Sequence, residues 1–263
     1  MSDLNSIKLI ACDLDGTLLL NGAQRLQPDT CALIERLLNE KNILFCAASG
    51  RQYANLQRLF APVQDKISYL CENGCLCYCE GKCIHREQMD TGLAKDIIRT
   101  LQLGSDAEIL VSGEKVHYIQ PRNNSFYHHM HDIVRNDVII VPDLLNIPEP
   151  YLKVSIFEKG GLYDAEKWQK QFGDLCTVVA GQGEWLDLMP PGVNKGSGIK
   201  PILAYYGIDA ADCMAIGDNY NDREMLELAG LPATVQSAVP AIRSIAKLET
   251  DTVENLFRKI LNY

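Results

Sequence analysis

Ile7-Lys8-Leu9-Ile10-Ala11-Cys12-Asp13-Leu14-Asp15-Gly16-Thr17 is the stretch that decides the fold. An apolar run of strand length stops on two carboxylates one residue apart, and Gly16 permits a sharp turn behind them. Residues i and i+2 of a strand point to the same side, so Asp13 and Asp15 emerge together at its carboxyl end while Leu14 points away. Open α/β sheets place their ligands at such strand ends. Two carboxylates about 5 Å apart repel by roughly 3 kcal/mol at an effective dielectric near 20, so the pair calls for a cation or a shared proton.

Outward from this strand the pattern alternates. Thr30 to Glu40 has helical spacing through Leu33, Ile34, Leu37 and Leu38, Ile43 to Ala48 is apolar, Arg51 to Phe60 reads as a helix, and Ile67 to Cys71 as a strand. This βαβαβ order predicts a parallel sheet wrapped by helices, a Rossmann-like core. Asn73-Gly74 then signals a turn, followed by a hairpin over Cys75 to Cys79 and Cys83 to His85. Between about Gln88 and Asp187 the order becomes α+β, with helices at Leu93–Leu101, Ser125–Asp132 and Asp164–Phe172 and strands at Glu108–Val111, Val116–Ile119, Tyr151–Phe157 and Cys176–Ala180. Alternation returns with a helix over Gly198–Tyr206, a strand over Cys213–Ile216, a helix over Asp222–Ala229 and a strand over Leu231–Val235. The expected organisation is an α/β core formed by residues 1–85 and 188–263, carrying an inserted α/β cap over 86–187.

Composition narrows the function. In 263 residues, 34 acidic against 25 basic side chains give a formal charge of −9, which disfavours nucleic acid and anionic lipid as partners. No apolar stretch approaches the roughly 20 residues that span a bilayer, and Met1 to Lys8 shows no basic leader, so the chain reads as cytoplasmic. Of ten cysteines, Cys71, Cys75, Cys77, Cys79 and Cys83 crowd together. Their alternation along a strand argues for small buried side chains rather than a zinc knuckle or a disulfide framework. His128 and His131 stand at i, i+3 on a predicted helix, read as a solvated face with substrate contact as the alternative. Asp187, on Trp185 to Met189 at the return from cap to core, reads as an edge carboxylate on a buried strand, with a side chain facing the cleft as the alternative.

Three further segments carry chemistry. Ser49-Gly50-Arg51 follows the second strand and opens a helix, where a hydroxyl and backbone N–H groups can seat an anion, although Ser49 is equally a plain N-cap. Lys195 sits in the Gly192-Val193-Asn194-Lys195-Gly196 turn before a helix, and Gly217-Asp218-Asn219-Tyr220-Asn221-Asp222 follows another buried strand. Arg51 fits a surface ion pair as well as it fits substrate contact, and Asn73 fits its turn as well as an active-site role.

The order DLDGT, SGR, NKG and GDNYND, spread over essentially the whole chain, resembles the haloacid dehalogenase superfamily of phosphohydrolases. The likeness is nearest to its Cof-like branch (subfamily IIB), in which a large α/β cap is inserted between the second and third motifs. That branch usually has threonine where Ser49 stands, a change that keeps the hydroxyl. The resemblance implies that Asp13 attacks phosphorus and becomes an aspartyl-phosphate, and that Asp15 is the acid for the leaving oxygen and the base for water. It also implies a Mg²⁺ ion on Asp13, the backbone carbonyl of Asp15, and Asp218, with Asp222 holding a metal-bound water or Lys195. Ser49, Gly50, Arg51 and Asn221 would contact the phosphate or the substrate, and Lys195 would neutralise charge on the nucleophile and the transferring group. The implied reaction is hydrolysis of a small phosphorylated metabolite, a sugar phosphate or a relative of one, with cap closure excluding water. A phosphotransferase or phosphomutase on the same scaffold, and a non-enzymatic binding protein retaining the fold, are the competing readings.

Overall fold

A computed structural model describes residues 4, 6–160, 164–180 and 184–262. Met1 to Asp3, on which the reading of the chain start partly rests, lie outside the described residues. In chain order the first elements are β1 (Leu9–Cys12), α1 (Thr30–Lys41), β2 (Leu44–Ala48), α2 (Tyr53–Leu59), β3 (Ser68–Cys71), β4 (Leu76–Cys79) and β5 (Lys82–Arg86). Then come α3 (Thr91–Gly104), β6 (Glu108–Ser112), β7 (His117–Ile119), α4 (Asn124–His128), β8 (Val138–Ile140), β9 (Lys153–Phe157), α5 (Ala165–Phe172), β10 (Thr177–Ala180) and β11 (Trp185–Met189). The chain closes with α6 (Lys195–Tyr206), β12 (Cys213–Ile216), α7 (Arg223–Leu228), β13 (Leu231–Val235), α8 (Pro240–Arg243), β14 (Leu248–Thr250) and α9 (Val253–Leu261).

The contacts divide the chain into two units. The first comprises Met1–Arg51, Leu56–His85 and Asn194–Tyr263. Its eight-stranded sheet runs β14-β13-β12-β1-β2-β3-β4-β5, and the neighbours from β14 to β3 are all parallel. Every residue of β1 is fully buried, as a strand covered on both faces requires. Because β1 lies between β2 and β12, the sheet changes winding direction there, and such a switch point is where open α/β sheets place their ligands. Register makes this useful: Cys12 pairs with both Ala47 and Ile216, so the residues that follow all three strands leave the sheet at one level.

The second unit comprises Gln52–Asn55 and Arg86–Val193. Its six-stranded sheet runs β10-β11-β9-β6-β7-β8 and is antiparallel except where β7 meets β8. Alternation sorts its side chains. Val154, Ile156, Leu186 and Leu188 pack with Ile97, Ile98 and Leu101 of α3 and Trp168 and Phe172 of α5, while Leu110, Ile119 and Phe157 pack with Phe126 and Met130. The predicted division at 86 and 188 differs from these ranges. All of β11 belongs to the second sheet, so the chain returns to the first unit only at Asn194, and Gln52–Asn55 group with the second unit. Side chains explain the latter: Gln52 donates to the Lys115 carbonyl at 2.9 Å and accepts from the Asp137 N–H at 2.9 Å, and Asn55 donates to the Val134 carbonyl at 2.6 Å.

Local expectations shift in three other places. The helix predicted over Ser125–Asp132 is α-helical only to His128 and continues over His129–Ile133 as a π-helix. Asp132 accepts from both His128 and His131, at 2.8 and 2.7 Å, in that exposed segment. Asp187 is no edge carboxylate: β11 lies between β10 and β9, and the buried Asp187 accepts from Ser155 Oγ at 2.6 Å and pairs with Lys153 Nζ at 3.1 Å. Cys71, Cys75, Cys77 and Cys79 are buried free thiols, and Cys83 is exposed. No helix among the described residues is long and apolar enough to cross a membrane.

Candidate active site

Asp13 leaves β1 with its N–H held by the Ile216 carbonyl at 2.8 Å, which ties it to the end of β12. Its Oδ1 lies 2.5 Å from Lys195 Nζ, and the same ammonium reaches Asp222 Oδ1 at 2.6 Å. Lys195 and Asp222 are wholly buried. Asp222 is held from both sides, since its Oδ2 accepts the N–H groups of Asp218 at 3.0 Å and Asn219 at 3.1 Å. This closes a capping box on the 3₁₀ turn that leads into α7. Asp218 accepts from Thr17 Oγ1 at 2.8 Å.

Lys195 reaches this position through the start of α6. Asn194 caps the helix by accepting from the Ser197 N–H, while Ser197 Oγ accepts from the Asn194 N–H, so the helix begins at Lys195 rather than at Gly198 as predicted. Glycine then permits close approach. A Cβ on Gly196 would stand 2.7 Å from the Glu224 backbone, and one on Gly198 would stand 2.7 Å from Gly74 Cα, so α6 can lie directly on α7 and on the loop after β3.

Electrostatics follow from burial. Desolvation, then the Asp222 charge, push the Asp13 carboxyl well above its ordinary range against the opposing pull of Lys195. Desolvation also raises Asp218, against the hydrogen bond from Thr17. Burial disfavours the Lys195 ammonium, but Asp13 and Asp222 more than reverse that and move its pKa upward. The site thus carries more acid than one ammonium balances. One oxygen from each of Asp13, Asp218 and Asp222 lies within 4.8 Å of the others, and the buried Asp13 Oδ2 has no hydrogen-bond partner among the described residues. Oxygen donors with an orphaned carboxylate oxygen fit a hard divalent cation. Asp222 joins the cluster by position, yet its Oδ1 is engaged by Lys195 and its Oδ2 by two N–H groups.

The SGR segment differs from its reading. Helix α2 begins only at Tyr53, so Ser49 is not its N-cap. Instead Ser49 Oγ accepts from the Arg51 N–H at 3.2 Å, its N–H donates to the Leu70 carbonyl at 2.9 Å, and its carbonyl accepts from the Asn73 N–H at 3.0 Å. Asn73 adopts φ 55°, as its turn requires, and is also buried against Gly50, where a Cβ would meet its amide at 3.1 Å. Asn221 Nδ2 lies 3.5 Å from Asn73 Oδ1, so Asn73 is a neighbour of both Gly50 and Asn221. Arg51 turns its side chain to Asp15, with Nε on Oδ2 at 2.8 Å and Nη2 on Oδ1 at 2.6 Å. The two carboxylates that the sequence pairs therefore bind different cations.

Among the residues brought together here, Thr17 was missed by the sequence reading. A hydroxyl two residues after Asp15 is its only local signal, because its partner lies 201 residues away. Thr234, which donates to the Gly217 carbonyl at 2.6 Å and fixes the turn before Asp218, has no local signal at all.

A family model described as haloacid dehalogenase-like hydrolase matches residues 10–256. The 5-amino-6-(5-phospho-D-ribitylamino)uracil phosphatase YbjI of Escherichia coli is 26% identical over 244 residues, spanning 92% of this chain and 90% of that protein. SMU.1108c of Streptococcus mutans superposes with a TM-score of 0.85 at 23% identity and 98% coverage of both chains. The subclass IIB sugar phosphatase BT4131 superposes with a TM-score of 0.80 at 18% identity, covering 97% of this chain and 98% of that one. At these identities the two superpositions speak for the fold.

Proposed function

This chain belongs to the haloacid dehalogenase-like hydrolases, and from that membership we propose that it is a Mg²⁺-dependent phosphatase of small phosphomonoesters acting through an aspartyl-phosphate on Asp13. The observation that carries the reading is the buried Asp13 carboxylate, with Oδ1 on Lys195 and Oδ2 without a hydrogen-bond partner among the described residues. Asp13 would attack phosphorus while the bond from phosphorus to the leaving oxygen breaks, and Asp15 would give that oxygen its proton. Asp15 would then take a proton from water as the water attacks the aspartyl-phosphate, releasing phosphate and restoring Asp13. Lys195 offsets the charge of Asp13 and of the transferring group. Asp222 holds Lys195 and fixes the turn that carries Asp218.

Asp13, Asp218 and the Asp15 carbonyl are the groups that would hold Mg²⁺, which would supply charge compensation to the phosphoryl oxygens. Ser49, the N–H of Gly50 and Asn221 would receive those oxygens, with Asn73 buttressing Gly50. A sugar phosphate or a related polyol phosphate is the favoured substrate, supported by the phosphoribityl substrate in the name of YbjI. The test is phosphate release by Asp13→Asn from a panel of sugar phosphates and from p-nitrophenyl phosphate, with Mg²⁺ present. Loss of at least about a hundredfold is expected, and near-normal turnover would rule out the aspartyl-phosphate.

A further inference from the structure

We infer that Arg51 is a positioning residue for Asp15, holding its carboxylate in the orientation from which it exchanges protons with the leaving oxygen and with water. The inference rests on the acid and base role proposed for Asp15. Its evidence is the two-point contact, Nε to Oδ2 at 2.8 Å and Nη2 to Oδ1 at 2.6 Å. A planar guanidinium that binds both oxygens fixes the plane of a carboxylate as well as its place, which a single ammonium cannot do.

The pair is also asymmetric. The Arg51 side chain is 12% exposed and that of Asp15 is 40% exposed. The Arg51 backbone is pinned on both sides, its N–H donating to Ser49 Oγ at 3.2 Å and its carbonyl accepting the Glu72 N–H at 3.2 Å. The arginine is thus the anchored partner and Asp15 the group that it steadies. The pair is open to solvent only on its Asp15 side, and what its two-point geometry adds is a fixed carboxylate orientation. A carboxylate has about four lone-pair sites and the guanidinium takes two of them, so proton exchange is compatible with the contact. Asp13 has its own cation in Lys195, so Arg51 serves Asp15 separately.

The experiment compares kcat/KM for an alkyl phosphate, whose alkoxide needs a proton, with that for p-nitrophenyl phosphate, whose leaving group needs little help. It uses the parent protein, Arg51→Gln, Asp15→Asn and the double variant. Arg51→Gln should lower the alkyl phosphate value about tenfold or more and the p-nitrophenyl phosphate value several times less. Added to Asp15→Asn, it should cost less than about twofold further, because a residue acting through Asp15 has nothing left to act on. Equal losses on both substrates that multiply with the Asp15→Asn loss would overturn the inference and mark Arg51 as a phosphate ligand or a structural residue. Undiminished alkyl phosphate turnover in Asp15→Asn would instead defeat the role of Asp15 itself, and the inference with it. Arg51→Lys keeps the charge without the fork and should remain impaired; it also serves the comparison if Arg51→Gln does not fold.

Discussion

Lys195 and Asp13, 182 residues apart, meet at 2.5 Å with the lysine side chain wholly buried. A lysine enters such a site only with its charge compensated, and here Asp222 supplies a second carboxylate at 2.6 Å. The arrangement stabilises the fold only as long as all its members are present, which makes it sensitive to single substitutions.

Lys195→Met should therefore damage both chemistry and stability. Removing the ammonium leaves Asp13 and Asp222 buried together, at a cost of about 3–5 kcal/mol. Urea denaturation should show that loss, and phosphate release should fall by at least about a hundredfold. Unchanged stability would mean that the two carboxylates do not depend on Lys195.

Asp222→Asn separates anchoring from chemistry. The amide keeps one oxygen as an acceptor but can no longer serve as an anionic acceptor for both Lys195 and the Asp218 and Asn219 N–H groups. Turnover should fall by about tenfold to a hundredfold, with a parallel loss of Mg²⁺ affinity as the Asp218 turn loosens. A metal titration monitored by activity and by thermal shift checks both expectations.

Burial raises the Asp13 and Asp218 carboxyls, so in metal-free protein the folded state holds these protons more tightly than the unfolded chain does. Their contribution to stability then declines as pH rises above the unfolded carboxylate range, about 4. Mg²⁺ bound as proposed would require the ionised forms and would reverse that penalty. The rise in melting temperature produced by Mg²⁺ over EDTA should accordingly be small near pH 4.5 and grow towards pH 7. A shift independent of pH would mean that the ion binds elsewhere.

In the second unit, Lys153→Met should destabilise by about 3–5 kcal/mol, because the buried Asp187 carboxylate loses the ammonium that balances its charge. The double variant Lys153→Met with Asp187→Leu should cost clearly less than the sum of the single changes. Urea denaturation of the four proteins gives the coupling directly.

Cysteine chemistry should be quiet. Burial pushes the thiols of Cys12, Cys46, Cys71, Cys77 and Cys213 up, whereas Cys83 is exposed and Cys31 is partly so. Of the ten cysteines, only Cys83 should react rapidly with a thiol reagent at pH 8 in the folded protein, followed more slowly by Cys31. Fast labelling of the cluster from Cys71 to Cys79 would contradict its packing role.

The sequence by itself determined whatever depends on neighbours along the chain. The apolar run before Asp13 predicted a strand, the alternation of strands and helices predicted a parallel sheet, and the order of the four motifs located the carboxylates and the lysine. Period two and period 3.6 are properties of consecutive residues, so these features need no knowledge of distant partners. Tertiary structure decided the pairings. That Asp13 faces Lys195 while Asp15 faces Arg51, that Thr17 supports Asp218, and that Asp187 meets Lys153 within a sheet all depend on register between strands and on how closely glycine lets α6 approach its neighbours. Such contacts join residues up to 201 positions apart. Local pattern carries no information about them, because the free energy that selects one register comes from burying whole faces together rather than from any single residue.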